Sequence, residues 1–400
     1  MRFGTFIAPF HPVTHDPNVA LHRDLELVGW LDQLGYDEAW IGEHHSAGYE
    51  IIASPEVFIA AAAERTRTIK LGTGVSSLPY HHPLILADRM VLLDHLTRGR
   101  TMFGVGPGAL PSDAFMMGID PVDQRRRMEE SLEVMLQLFA GETVSAQTDW
   151  FTLRDARLQL LPYTQPCFEI AVAAMISPSG PRLAGKHGLS LLSIGATQTE
   201  GFNIMSNTWS IMEERAAEFG TTVDRSDWRL VGPMHIAPTR EQARADVQFG
   251  LAEWVDYFVR VAALPLVPAG MDDVDDLVDT LTSQGFAVIG TPDDAIEQIE
   301  RLEKQAAGFG CYLFMAHDWA NREATRLSYE LFARNVFPHF KGTTQATRGS
   351  RDWVAEQRPQ QLGRAGEAIM KAIGDHAAEG SASGNALKEA IEQRAAEQQP

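Results

Sequence analysis

The sequence predicts a closed (β/α)8 barrel, a TIM barrel of eight parallel strands wrapped by helices, with insertions and a C-terminal tail. Three observations carry this reading. Short runs rich in β-branched and aromatic residues alternate with longer stretches of helical period along most of the 400 residues. Eight such strands can be read, the number that closes a barrel of this type. The turn after the first strand lacks the glycine fingerprint of a dinucleotide-binding sheet, which leaves a doubly wound open sheet as the alternative.

The first strand is RFGTFIA (2–8), and LHRDLELVGWLDQLG supplies the helix behind it. EAWIG (38–42) is a short buried strand, followed by an Ala-rich helix opened by Pro55. TIKLGTGVSSL (68–78), LILADRMVLLDHLTRG (84–99), TMFGVG (101–106) and RRRMEESLEVMLQLFAG (125–141) continue the alternation. A hairpin is expected near WFTL and ARLQLL. Further strands are read at CFEIAVA (167–173), LSLLSIG (189–195), WRLVGPMHIA (228–237) and CYLFMA (311–316). Residues 262–290, containing LPLVPAGMDDVDDLVDT, are long for a barrel loop, and a mobile lid is expected there. The barrel is expected to span 1–344. From 345 to 400 the chain turns polar and Ala/Gln/Glu-rich, and is expected to add nothing to the core, with packing on a neighbouring subunit and partial disorder both open.

Composition narrows the function classes. A formal net charge of −19 without a block of Lys or Arg excludes the clustered positive charge that a nucleic-acid backbone requires. Acidic surface of this kind serves solubility. No apolar run approaches the roughly 20 residues that cross a bilayer, and MRFGTFIAPF lacks the build of a secretion signal, so no membrane partner and a cytoplasmic location are expected. Cys167 and Cys311 are too few for a disulfide framework and wrongly spaced for zinc, and both read as core residues.

Chemistry concentrates at strand ends. In DEAWIGEHHSAG (37–48), Glu43, His44 and His45 stand at the C-terminal edge of the second strand, the edge at which barrels of this type carry out catalysis. The pair supports metal ligation, acid–base work or hydrogen bonding to an anionic cofactor. Adjacent strand residues face opposite sides, so the two imidazoles do not readily share a metal, and none is expected. In LGTGVSSLPYHHP (71–83), two glycines within a β-run mark a bulge or the close approach of a flat surface, for which a planar ring is a natural candidate. GVGPGALPSDA (104–114) is glycine-rich without the Lys of a P-loop, a weak signal by itself. ISPSGPRLAGKHG (176–188) sets Ser177 and Ser179 just before a helix, where hydroxyls and free amides can hold a phosphate, the ordinary alternative being an N-cap.

Together these segments resemble the bacterial luciferase-like family of flavin-dependent monooxygenases, and within it the limonene monooxygenase-type members. RFGTFIAPFHP, WIGEHHS, KLGTGVSSLPYHHP, the stretch from LLDHLTRGR to GVGPGALPSDAFMMGIDP, GTPDDA and HDWANREATRLSYELFARNVFPHF carry the likeness in family order across residues 2–341. The resemblance implies reduced FMN bound at the C-terminal face and supplied by a separate NAD(P)H:flavin reductase, O2 as co-substrate, and a homodimer. It implies a flavin (hydro)peroxide chemistry in which His44, beside the reactive edge of the ring, donates to the bound oxygen. Gly74 and Val75 match the dipeptide that packs on the flavin through a non-proline cis peptide, with Ser76 and Gly106 nearby. Ser177 falls on the phosphate-binding serine, with Ser179 and Gly180 completing the helix start and Arg125 near the phosphate.

One position departs from the luciferase. Where that enzyme grips the phosphate with an arginine after the fourth strand, this chain has Pro107, which leaves the serine turn with Arg125 or Arg182 to hold the group. A small hydrophobic, terpene-like substrate is expected over the ring, walled by Phe115, Met116, Met175 and Trp319, with Asp113 as a polar contact. Baeyer–Villiger or aldehyde oxygenation is the alternative outcome, and a deazaflavin-dependent hydride transfer the rival on the same fold.

Overall fold

The computed structural model describes residues 1–8, 10–262, 267–268 and 270–397. It contains strands β1 Arg2–Ile7, β2 Glu38–Ile41, β3 Lys70–Ser77, β4 Thr101–Gly106, β5 Val144–Gln147, β6 Thr152–Ala156, β7 Glu169–Ala174, β8 Ser190–Ser193, β9 Trp228–Gly232, β10 Met234–Ile236, β11 Val288–Gly290 and β12 Cys311–Met315. Eight of these close a barrel in the order β1–β2–β3–β4–β7–β8–β9–β12, with β12 returning to β1. Every pairing around the barrel is parallel. The eight barrel strands are those expected from the sequence.

Strand alternation divides the core in two. Phe3, Ile7, Ala39, Ile41, Phe103 and Val105 point outward into the layer between strands and helices. Phe6, Trp40, Met102, Ala171, Leu192 and Leu313 point inward and fill the barrel. The bulkiest of these plugs is Trp40, and it explains a glycine pattern. A Cβ on Gly72 would lie 2.7–2.9 Å from the Trp40 indole, and one on Gly104 would collide with the Thr73 carbonyl and approach the same ring to 3.1 Å. The flat surface that the glycines of β3 and β4 accommodate is therefore this indole. A Cβ on Gly74 would meet the Cβ of Trp40 at 2.8 Å, so that glycine also answers to packing. Between Thr73 and Ser76 the register of β3 on β4 slips.

Beneath Trp40 lies an ion network with no obvious sequence signal. Arg229 and Glu38, both fully buried, pair in bidentate fashion at 2.7 and 3.0 Å, and the Trp40 indole N–H donates to Glu38 at 2.9 Å. Burial alone would raise the Glu38 carboxyl, but the Arg229 and Arg2 charges hold it below its usual range.

Two elements differ from expectation. The hairpin pairs Val144–Gln147 with Thr152–Ala156, so WFTL spans the turn and the start of its second strand, and residues 157–161 are not a strand. The Thr148 hydroxyl accepts from the amides of Trp150 and Phe151 and fixes the turn earlier than the apolar pattern suggests. The expected seventh strand breaks after Gly232. Pro233 has no N–H to continue the ladder, and Met234–Ile236 instead pairs with Val288–Gly290. Of the lid expected at 262–290, residues 263–266 and 269 lie outside the described residues. From Val274 the segment is a helix, Val274–Ser283, capped by the Asp273 side chain and burying Leu277, Val278 and Leu281, followed by β11.

The chain divides into compact units Met1–Lys341 and Gly342–Pro400. The second unit contains the helices Gln345–Ala378 and Ala382–Glu397, the first of them running through Pro359.

Candidate active site

A cavity of about 320 Å³ opens at the C-terminal ends of the barrel strands, within the roughly 300–1,000 Å³ range of small-molecule sites. His44, Gly74, Val75 and Met175 line it, as do Arg125, Ser177, Ser179 and Gly180. These residues come from the ends of β2, β3 and β7 and from the first turn of the helix Gln124–Phe139. Phe6, Ile194, Phe258 and Met315 supply an apolar wall that the sequence reading did not name.

At one end is a serine turn. The Ser177 and Ser179 hydroxyls lie 2.9 Å apart, and the Ser179 amide donates to Ser177 Oγ at 3.3 Å as the helix Ser179–His187 begins. A side chain at Gly180 would strike the Ala173 carbonyl, so glycine lets this helix start sit directly on β7. The register of the three arginines is settled by their partners. Arg126 binds Asp123, Glu130 and Asp149, Arg127 lies over the Trp150 ring, and Arg125 turns to the cavity. Arg182 is exposed and does not line it.

In the middle, the peptide between Gly74 and Val75 is cis, as the family likeness implied. Val75 faces the cavity, while Gly106 sits behind it: a Cβ there would meet Val75 Cγ2 at 2.5 Å. Ser76 is buried outside the cavity, its hydroxyl without a hydrogen-bond partner among the described residues.

At the other end, His44 is held between two carboxylates. Its Nδ1 faces Asp113 Oδ2 at 3.4 Å, and its Nε2 lies 3.0 Å from Glu50 Oε2. Burial alone would lower the imidazole, but the Glu50 charge, together with the hydrogen bond and charge of Asp113, outweighs it and pushes the ring up to about 10. Asp113 Oδ1 also accepts from the His45 amide at 3.2 Å and the Ser46 hydroxyl at 2.5 Å. Glu43 faces away from His44. It accepts from His45 at 2.9 Å, His81 at 2.7 Å and the Ser77 amide at 2.7 Å, tying the loop after β2 to the end of β3.

Four expected substrate contacts lie elsewhere. Phe115 and Met116 are 84% and 64% exposed on the outer surface of a short helix, Pro111–Met116. That helix turns its buried face, through Asp113 and Ala114, toward the barrel, which is why the two large side chains point out. Trp319 is fully buried, stacked on His317 and edge-on to Trp254, away from the cavity. Asp113 is buried as the partner of His44 and does not line the cavity. Conversely, Glu50 and Tyr257 were not anticipated. Glu50 sits in a loop that returns to the segment after β1 through an isolated bridge to Phe10, a contact no local pattern announces.

Comparison with known proteins agrees with this architecture. Residues 1–308 match the family described as luciferase-like monooxygenase. Limonene 1,2-monooxygenase of Rhodococcus erythropolis is 54% identical over 344 residues, 85% of this chain and 87% of that protein. 4-Hydroxyprotoasukamycin monooxygenase of Streptomyces nodosus subsp. asukaensis is 46% identical over 360 residues, 89% and 97% of the two chains. Among solved structures, the oxygenating constituent of the 3,6-diketocamphane monooxygenase of Pseudomonas putida, a type II Baeyer–Villiger enzyme in complex with FMN, superposes with a TM-score of 0.71 at 27% identity, covering 84% of this chain and 98% of that one. The match over most of the barrel and the identity to these relatives place the chain in the luciferase-like monooxygenase family.

Proposed function

We propose that this protein is the oxygenating component of a two-component system, taking reduced FMN from a separate reductase and using O2 to oxygenate a small hydrophobic, terpene-like alkene. The observation that carries the reading is one cavity with two serines and an arginine at one end, an apolar wall and a histidine braced by carboxylates. Ser177, Ser179 and Arg125 suit a phosphate, since hydroxyls, a helix start and a guanidinium all favour a dianion. The Gly74–Val75 edge suits a flat ring, presenting backbone and one small branched side chain. When bound, reduced FMN supplies two electrons and two protons, so that one atom of O2 enters the substrate and the other leaves as water.

The protein's own part is to bind, dry and protonate. Phe6, Ile194, Phe258 and Met315 exclude water from the reacting end, which suppresses loss of the reducing equivalents to hydrogen peroxide. His44 holds a proton at the wall, where it can be given to an oxygen atom. The relatives named above support an alkene such as limonene first and a cyclic ketone second.

The test supplies purified protein with FMN, a flavin reductase and NADH, and follows oxygen uptake and product over a panel of terpenes and cyclic ketones. The expected result is substrate-dependent oxygen consumption with one atom from 18O2 in the product. A deazaflavin-dependent reductase would oxidise or reduce substrate without consuming O2. That outcome, or oxygen uptake yielding only peroxide across the panel, overturns the reading.

A further inference from the structure

Two residues of the cavity wall, Glu50 and Tyr257, bear on the acid–base state of His44. Glu50 is 5% exposed, and its Oε2 lies 3.0 Å from His44 Nε2. That oxygen accepts no aligned hydrogen bond among the described residues. The contact is therefore one of charge, and the Nε2–H axis is left pointing off the carboxylate in a ring that lines the cavity. The other oxygen, Oε1, accepts from the Tyr257 hydroxyl at 2.8 Å. Tyr257 is itself enclosed by Phe10, Tyr49 and Phe258, whose ring centroids lie 4.9–5.4 Å from its own. It opens a π-helical turn, Tyr257–Val261, an irregularity that often accompanies functional sites. Burial and the Glu50 charge push the Tyr257 phenol up, so it remains a donor to the carboxylate at any working pH.

We infer that Glu50, braced by Tyr257, is the positioning residue that keeps His44 in the cavity wall as a charged proton donor, and that Asp113 fixes the opposite ring nitrogen. A carboxylate pinned by a phenol and shut off from water cannot swing away, so a neutral ring would leave its charge buried and unpaired, which is costly. The groups facing the ring are Glu50 and Asp113, which favour its charge, and His45, which opposes it from the neighbouring position. Tyr257 acts only through Glu50.

The consequence concerns substrate class and rests on the oxygenase reading. Alkene epoxidation and ketone oxygenation share one balance: O2, two electrons and two protons in, one oxygen into the substrate and one out as water. They differ in whether the transferred oxygen must be electron-poor or electron-rich. A histidine that stays protonated favours the electron-poor case, and hence an alkene over a ketone.

The experiment reads the His44 ring by long-range 1H–15N NMR in flavin-free protein, with the signal assigned by its loss in His44→Asn. In the wild type the ring is expected to remain doubly protonated from about pH 6 to about pH 9, where an unperturbed histidine is already neutral. Glu50→Gln should lower its titration by about 1–3 pH units, as expected for removal of an opposite charge in contact, and Glu50→Asp should restore part of that change. A wild-type ring that titrates near the ordinary value overturns the inference without any variant, so a misfolded Glu50→Gln does not rescue it. Identical titration in wild type and folded Glu50→Gln overturns it as well. In the FMN-loaded enzyme, product formed per O2 should be flat across neutral pH for the wild type and should fall with rising pH in Glu50→Gln. Tyr257→Phe should shift the His44 titration and that ratio in the same direction as Glu50→Gln but by less, and an unchanged titration and ratio remove Tyr257 from the assignment. If no substrate is oxygenated by any form, the function assigned above fails, while the ring titration still decides the role of Glu50 by itself.

Discussion

At Ser177, one substitution separates the proposed phosphate site from an ordinary helix cap. Its Oγ lies 2.9 Å from that of Ser179 and 3.3 Å from the Ser179 amide, and both serines line the same cavity as Arg125. A cap would stabilise the helix alone, whereas a phosphate site discriminates between flavins. Hydrogen bonds to a charged group contribute about 1.5–3 kcal/mol. Ser177→Ala is therefore expected to weaken binding of FMN by roughly tenfold to a hundredfold, with riboflavin, which lacks the phosphate, bound as in the wild type. Fluorescence titration with both flavins measures this, and equal weakening of the two would move the phosphate elsewhere. The residues of this end were legible because hydroxyls before a helix start, and a glycine that lets it seat, are local features. The other end was only half legible. His44 stands out beside a strand, but its partners Glu50 and Tyr257 reach it from a loop closure and from a helix far along the chain. Phe115 and Met116 misled for the complementary reason: closeness in sequence to a strand end says nothing about which face of the following helix turns inward.

At the scale of elements, the barrel was legible because eight strands alternate with helices and each strand alternates its own faces. What packs between the strands was not, because the partner of a glycine is not its neighbour in sequence. Gly72 and Gly104 both make room for Trp40, yet they differ in what else a side chain would meet. The three atoms nearest an added methyl at Gly72 all belong to the indole, at 2.7–2.9 Å, whereas at Gly104 the methyl would also strike the backbone carbonyl of Thr73. Overpacking of this kind costs about 1–3 kcal/mol. Gly72→Ala is thus expected to destabilise the barrel by that amount and to be partly rescued by Trp40→Leu. Gly104→Ala should destabilise at least as strongly and show no such rescue. Urea denaturation of the three single variants and of the two doubles with Trp40→Leu, with the couplings worked out, decides the matter, and additive effects in the Gly72/Trp40 pair would show that the indole is not the obstacle. The same argument accounts for the break in the expected seventh strand. An apolar run of that length reads as one strand, and only Pro233 in its middle signals that the ladder passes to a different partner.

Over the whole molecule, the buried histidines are expected to shape the pH range in which the fold is most stable. His11 is buried between Asp24 and Asp318, 2.9 Å from each. Burial alone would lower it, but the two carboxylates push it up to about 9. His44 lies higher for the reasons given above. Both bind a proton in the native state that the unfolded chain releases near pH 6.5. Their contribution is complete below that value and is lost as pH rises toward 9 and 10, amounting to about 3 kcal/mol for His11. His187, His235 and His317 behave in the opposite sense, with burial holding each below its ordinary value and His317 down to about 3. They are neutral in both states above pH 6.5, and below it the unfolded chain takes up protons that the native state refuses. Stability should therefore peak close to pH 6.5–7 and decline on both sides. The net charge of −19 cannot mimic the alkaline limb, because few carboxylates, lysines or arginines change state between pH 7 and 9. Thermal unfolding across pH 5–9 should show a falling Tm above neutrality. In His11→Gln the protein should be less stable throughout and its alkaline slope shallower. A Tm that stays level from pH 7 to 9 in the wild type would mean that neither imidazole is held as an ion, and would count against the carboxylate clamps at both His11 and His44.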